Sequence, residues 1–345
     1  MRARCRQPGK LIAGGTVIAL LLGLAACGGA GNDAHARAGA NITVAEITAD
    51  DIVNAAEAAG DIDVTGIVSG SAGPGNIVRL TVNGSDYSGM VNADNAFSIP
   101  VSGMDLASDT GFDVTVEGKG VAGFPFRVGT TSTHTVDLVA GSTITVDSVT
   151  ADDIVNSAEA AGVIPISGKV GGDATAGDVV RLTVNGSDYA GIISAGNRFS
   201  VPVSGIDLRS DNSFDVTVDG TDDAGNPFTA TTTSTHSIDL VAMASISVDD
   251  ITYDDILDNT RSVGLVNVTG KVGGDATAGD TVSFTVYFTD YAGLVLDGNI
   301  FSIPVFGYDL SNQDSFNITV EGDDSAGNPF RETTTLTILS QAHLR

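Results

Sequence analysis

The sequence has no tryptophan, and aromatic side chains make up 6% of its 345 residues. Its two cysteines, Cys5 and Cys27, both fall near the N-terminus, so the remainder of the chain contains no disulfide. Without a tryptophan and a cysteine pair, an antibody-type core pin is excluded. Basic residues are scarce: 16 Lys and Arg stand against 43 Asp and Glu, a net charge of −27. That balance argues against nucleic acid as a partner, and against anionic lipid bound through a basic patch. It suits a chain that gathers cations. The apolar stretch 11–24 is too short and too interrupted by glycine to span a membrane comfortably. No zinc-protease helix, nucleophile elbow or P-loop is present, so no enzyme is expected.

The N-terminus has the pattern of a processing signal. Arg2, Arg4, Arg6 and Lys10 precede the apolar stretch, which ends in small residues. Leu24-Ala25-Ala26-Cys27 resembles the lipobox of bacterial lipoproteins, in which the cysteine becomes the lipidated first residue. An ordinary secretory signal cut near the same place is the alternative. Gly28, rather than Asp, resembles the pattern sorted to the outer membrane. The resemblance implies an exported protein, anchored by lipid to the outer membrane or cell surface. Residues 28–40 are small and polar and are expected to form a flexible tether.

Self-comparison reveals a repeat of 102 residues. Thr48-Ala49-Asp50-Asp51-Ile52-Val53-Asn54 recurs unchanged at 150–156 and in altered form at 252–258. The decapeptide 78–87 is identical to 180–189, and GKVGGDATAGD appears at Gly168 and Gly270. Three units follow, at 41–142, 143–244 and 245–345, each about the size of an immunoglobulin-type sandwich. Short alternating runs of Val, Ile, Thr and Phe, separated by Gly, Asn and Asp, predict strands rather than helices. In the second unit they fall near 143–149, 164–170, 179–185, 189–194, 199–203, 214–219 and 228–239. Asn185-Gly186 predicts a tight turn, Phe199, Phe214 and Phe228 predict core positions, and a short helix fits 154–161. The expected fold is all-β: three tandem immunoglobulin-like seven-stranded sandwiches.

TADDIVNxAEA, GGDATAGD, LTVNGSDY and the DAGNPF loop resemble the bacterial immunoglobulin-like repeats of large calcium-dependent, RTX-type and biofilm-associated adhesins. The resemblance covers roughly residues 41–340. It implies extender domains, stiffened by calcium, that hold a binding module away from the cell.

Strands that alternate in direction divide the loops between two poles, and the acids divide with them. At the N-terminal pole the second unit carries Asp147, Asp173, Asp178 and Asp222, and the third carries Asp249, Asp275, Asp280 and Asp324. The first unit has Ala45, Ser71, Asn76 and Gly120 there. At the C-terminal pole the first unit carries Glu57, Asp109 and Asp137, and the second carries Glu159, Asp211 and Asp239. Arg261, Gln313 and Leu339 are read as their counterparts in the third. Acids are thus lost at the poles without a neighbour in the array. Crowded carboxylates repel unless a cation sits among them. Ca2+ accepts six to eight oxygens in flexible geometry, and these clusters offer neither Cys nor His to a transition metal. Structural Ca2+ at each of two junctions is the resulting expectation. Asp254, Asp255 and Asp309 persist at the third unit's free pole and belong either to a site within each unit or to none.

Gly118-Lys119-Gly120-Val121-Ala122-Gly123 fits a dinucleotide fingerprint, but it leads into a strand and so predicts no cofactor. His134 and His236 are expected to be sheet-face residues, and Lys169 and Lys271 to face water. The third unit gains Tyr287, Phe288, Phe306 and Tyr308 where the second has Asn185, Gly186, Ser204 and Ile206. Such gains at an exposed pole suit contact with a surface glycan or protein, or simply cap the last domain. The primary expectation is a monomeric, lipid-anchored, calcium-stiffened stalk or adhesin. The alternative is a binding module in which the third unit recognises the partner.

Overall fold

The computed structural model describes residues 39–120, 123–251, 256–257 and 263–340. The expected signal, Cys27 and nearly all of the tether lie outside these residues, as do Asp254 and Asp255.

The first repeat contains β1 (Asn41–Val44), β2 (Ile52–Val53), α1 (Ala55–Ala58), β3 (Asp61–Ser69), β4 (Ile77–Val82), β5 (Ser85–Met90), β6 (Ala96–Ser102), α2 (Gly103–Ser108), β7 (Gly111–Lys119), β8 (Pro125–Thr133) and β9 (Thr135–Val136). The second repeat follows this order, and the third follows it among the described residues, which do not include the position of α1. One sheet is β1-β3-β6 and the facing sheet is β5-β4-β7-β8, all antiparallel, while β2 and β9 form a short parallel pair. β5, the fourth of the seven expected strands, pairs with β4 and joins the four-stranded sheet. A constant-type immunoglobulin domain places it in the other one. Pole assignments are unaffected, because β5 still runs opposite to β4.

Alternation explains the sandwich. β4 reads exposed-buried throughout, and Val78, Leu80 and Val82 point inward with 2% exposure or less. Val114 and Val116 of β7 meet Ile99 and Val101 of β6 across the core. Phe199, Phe214 and Phe228 are buried in the second repeat, as their spacing predicts. A Cβ on Gly168 would lie 2.0 Å from the Thr145 carbonyl oxygen and 2.6 Å from the Phe199 ring. Only glycine lets that ring cross the strand at this point.

Several expectations need correction. The last strand of the second repeat is not continuous over 228–239, since it divides into Pro227–Thr235 and Ser237–Ile238 at His236. His134 and His236 are therefore not sheet-face residues. They are buried at this break, each ring Nε2 bonded to the carbonyl of Leu106 or Leu208 at 2.8 and 2.9 Å. That bond makes Nε2–H the donor tautomer and ties α2, or its counterpart, to the core. The stretch 154–161 is a two-residue strand followed by the helix Ser157–Ala160, and the helix Gly205–Leu208 has no forerunner in the sequence reading. Finally, Leu339 lies opposite Ile256 as Ser237 lies opposite Ile154. Asp239 therefore corresponds to Gln341, two residues beyond Leu339.

Candidate functional site at the repeat junctions

Each junction brings the C-terminal pole of one repeat against the N-terminal pole of the next. At the first junction the start of α1 meets the loop 222–228. Asn54 is the N-cap of α1: its side-chain oxygen accepts from the Ala56 and Glu57 amides, and Glu57 returns a bond to the Asn54 amide. This capping box leaves the Ala55 amide over, one of the donors that a helix start cannot satisfy internally. Asn226 Oδ1 of the second repeat accepts it at 2.8 Å. In return Asn54 Nδ2 donates to the Ala224 carbonyl at 2.9 Å, and Asn226 Nδ2 donates to the Asp137 carbonyl at 3.0 Å.

The second junction repeats the pattern with Asn156, Ser157, Ala326, Asn328 and Asp239 at 2.8 to 3.0 Å. Asn226 and Asn328 are 3% and 1% exposed although both stand on polar loops. Gly225 and Gly327 adopt φ of +86° and +83°, with no side chain to intrude on Asn54 and Asn156.

The predicted acids do not share one role. Glu57 and Glu159 close capping boxes. Asp109 and Asp211 accept the turn amides of Asn83 and Asn185 at 2.9 Å. Gln313 does the same for Tyr287, so its loss of charge preserves the structural bond. Asp147 pairs with Arg198 at 3.3 Å on the surface, and Asp249 accepts from the Thr269 hydroxyl. Asp178 and Asp280 accept the Thr175 and Thr277 amides, a role that Asn76 performs for Gly73 in the first repeat. Asp309 accepts from the Tyr291 hydroxyl, as Asp105 does from Tyr87 and Asp207 from Tyr189. These tyrosine hydroxyls, seconded by Asn83 and Asn185, hold the Asp105 and Asp207 carboxyls below the usual range.

Three carboxylates at each junction bond either the linker backbone or the asparagine that reaches it. Asp137 bonds the Val139 amide, Asp173 bonds the Gly141 amide at 2.7 Å, and Asp222 accepts the Asn226 amide and side chain at 2.7 and 2.9 Å. Asp239, Asp275 and Asp324 correspond to them. The Asn226 side chain, the leading cause, keeps the Asp222 carboxyl below its ordinary value. At Asp324 burial pushes upward, but the Asn328 bonds prevail and the net shift is downward. Among the described residues, no three His, Cys, Asp or Glu side chains stand close enough as placed to hold a metal together.

Asn226 and Asn328 carry no charge, so the distribution of acids does not point to them. Their signal was present: Phe124 occupies the Asn226 position in the first repeat, and Asp258 the Asn156 position in the third.

The third repeat's aromatic substitutions lie at its C-terminal pole. Tyr287 and Phe288 adopt φ of +43° and +69°, where the other repeats have Asn-Gly. Phe288 is 95% exposed. The Tyr287 ring centroid lies 5.5 Å from that of Phe288 and 5.8 Å from that of Tyr308. Open grooves on the four-stranded sheets of the first and third repeats are lined mainly by polar side chains, with Arg79 and Arg127 in one and Arg331 in the other.

These features define tandem immunoglobulin-like sandwiches joined pole to pole. No family model matches the chain, nor does any curated protein. Solved structures do. One, from work on host-cell-surface retention of a 1.5-MDa bacterial ice-binding adhesin, is 39% identical with a TM-score of 0.82. The match covers 87% of this chain and 97% of that one. Another, from a Ca2+-stabilized adhesin that helps an Antarctic bacterium reach out and bind ice, is 38% identical with a TM-score of 0.70. It covers 87% of this chain and 74% of that one. The chain belongs to this family of bacterial immunoglobulin-like adhesin repeats. It is an adhesin-repeat protein and not an enzyme. A score of 0.82 across three repeats also requires similar relative placement of the repeats.

Proposed function

We propose that the chain is an exported, lipid-anchored adhesin stalk of the cell surface whose repeats are stiffened by Ca2+ at their junctions. The observation that supports this reading is a set of three carboxylates at each junction, two bonded to the five-residue linker and the third to the asparagine that reaches it. Their chemistry fits a hard cation, because every donor is oxygen. The hydrogen bonds of Asp137 and Asp173 engage one carboxylate oxygen each, leaving the other for a metal. Asp137, Asp173 and Asp222 would hold the first ion, and Asp239, Asp275 and Asp324 the second. An ion there supplies positive charge between two acidic poles and so favours their abutment. Glu57, Glu159, Asp109, Asp211, Asp147, Asp249, Asp178 and Asp280 shape the poles around these sites. Extracellular modules typically bind calcium with Kd of about 10⁻⁴–10⁻³ M, so the sites fill only outside the cytoplasm. Cys27 carries the lipid.

The test is the triple variant Asp137→Asn, Asp173→Asn, Asp222→Asn. It should lose one of two calcium sites by calorimetry and keep its fold. Retention of both sites would overturn the assignment.

A second reading rests on the strained aromatic turn at Tyr287 and Phe288. There the third repeat's pole, with Phe306 and Tyr308, contacts a surface glycan or protein. Deleting that repeat should then abolish attachment, whereas deleting the second should only shorten the molecule. Equal effects would exclude this reading.

A further inference from the structure

We infer that Asn226 and Asn328 form a directional, metal-independent latch that seats each repeat on the one before it. The inference requires no metal, although Asp222, which Asn226 bonds, is shared with the calcium reading. Asn226 satisfies all its polar groups at one point. Its Oδ1 takes the Ala55 amide, its Nδ2 serves both the Asp137 carbonyl and Asp222, and its own amide goes to Asp222 Oδ1. Two of those partners belong to the preceding repeat, and Asn54 returns a bond to Ala224.

The exchange is reciprocal and directional. A helix start with Asn at the cap and Glu three residues on is read by a loop of the form Asp-x-Ala-Gly-Asn-Pro-Phe. A buried amide with every bond made fixes one geometry, whereas an apolar contact would tolerate sliding. The same contacts recur at the second junction, 102 residues on.

The poles outside the junctions lack the pattern. Phe124, in the place of Asn226, is 73% exposed, and Gly120 stands in the place of Asp222. At the other end Asp258 and Arg261 stand where Asn156 and Glu159 would be. The sequence signature of the reading loop is thus missing from the first repeat, and that of the helix start it reads is altered in the third.

The test is hydrogen–deuterium exchange of the full chain, in chelator and in millimolar calcium chloride, with small-angle scattering on the same samples. In chelator the wild type should protect the Ala55 and Ser157 amides. Asn226→Ala should raise exchange at Ala55 roughly tenfold and leave Ser157 unchanged, and Asn328→Ala should do the reverse. Asn54→Ser keeps a helix cap but loses the bond to Ala224, so it should loosen the same junction without perturbing either sandwich. Unchanged exchange in the Asn226 and Asn328 variants, or an unprotected Ala55 in wild-type chain without calcium, would overturn the latch. Protection in chelator that calcium does not alter would support the latch and count against calcium stiffening.

Discussion

Asn83-Gly84 and Asn185-Gly186 turn with positive φ at both positions, a conformation these residues adopt at little cost. Tyr287 and Phe288 adopt it against their preference, and a non-glycine residue in that region costs about 1–2 kcal/mol. Phe288→Gly should therefore stabilise the third repeat by roughly 1 kcal/mol, read as a raised urea midpoint. A lowered midpoint would mean that the exposed ring packs usefully in the free protein.

The tyrosine–aspartate ties make a second residue-scale prediction. Tyr189 donates to Asp207 and accepts from the Ser204 amide, so Tyr189→Phe should cost about 1–2 kcal/mol. Because the Asp105 and Asp207 carboxyls are depressed when folded, their contribution is complete above the unfolded pKa of about 3.9. It is lost as pH falls through the lower folded value. Acid titration monitored by circular dichroism should show Tyr189→Phe losing less stability below pH ~4 than wild type.

Among elements, the strands were legible because period-two alternation is a direct consequence of half-burial. The runs near 179–185 and 214–219 match Val179–Val184 and Ser213–Thr221 closely. What was not legible depends on long-range contact. The break at His236 follows from its bond to Leu208, 28 residues away, and the four-residue helix Gly205–Leu208 is too short to show a period. The separate roles of the predicted acids were not legible, because Asp favours turns and metal sites alike. Only the structure separates Asp211, which holds a turn, from Asp239, which borders a linker. Glycine at 168 shows how narrowly the elements fit: Gly168→Val should unfold the second repeat, since its Cβ would overlap both a carbonyl and the Phe199 ring. A folded second repeat by near-ultraviolet or NMR fingerprint would contradict that packing.

At the scale of the whole molecule, the repeats combine independent cores with small polar interfaces. Each sandwich has its own apolar cluster, so loss of a junction should leave the domains folded and change only their arrangement. Direct hydrogen bonds set the register at each junction. The remaining electrostatic problem is the negative charge of two facing poles, in a chain with 43 acidic residues and 16 basic. Divalent cation is the account's answer to that repulsion. Monovalent salt should substitute only in part, because it screens without bridging.

The most direct test is a calorimetric calcium titration of the full chain, with scattering recorded at each end point. Two sites with Kd of about 10⁻⁴–10⁻³ M are expected, with a higher melting temperature and a longer, stiffer particle when they are filled. No binding heat, together with an identical melting temperature and scattering profile in chelator and in millimolar calcium, would contradict it.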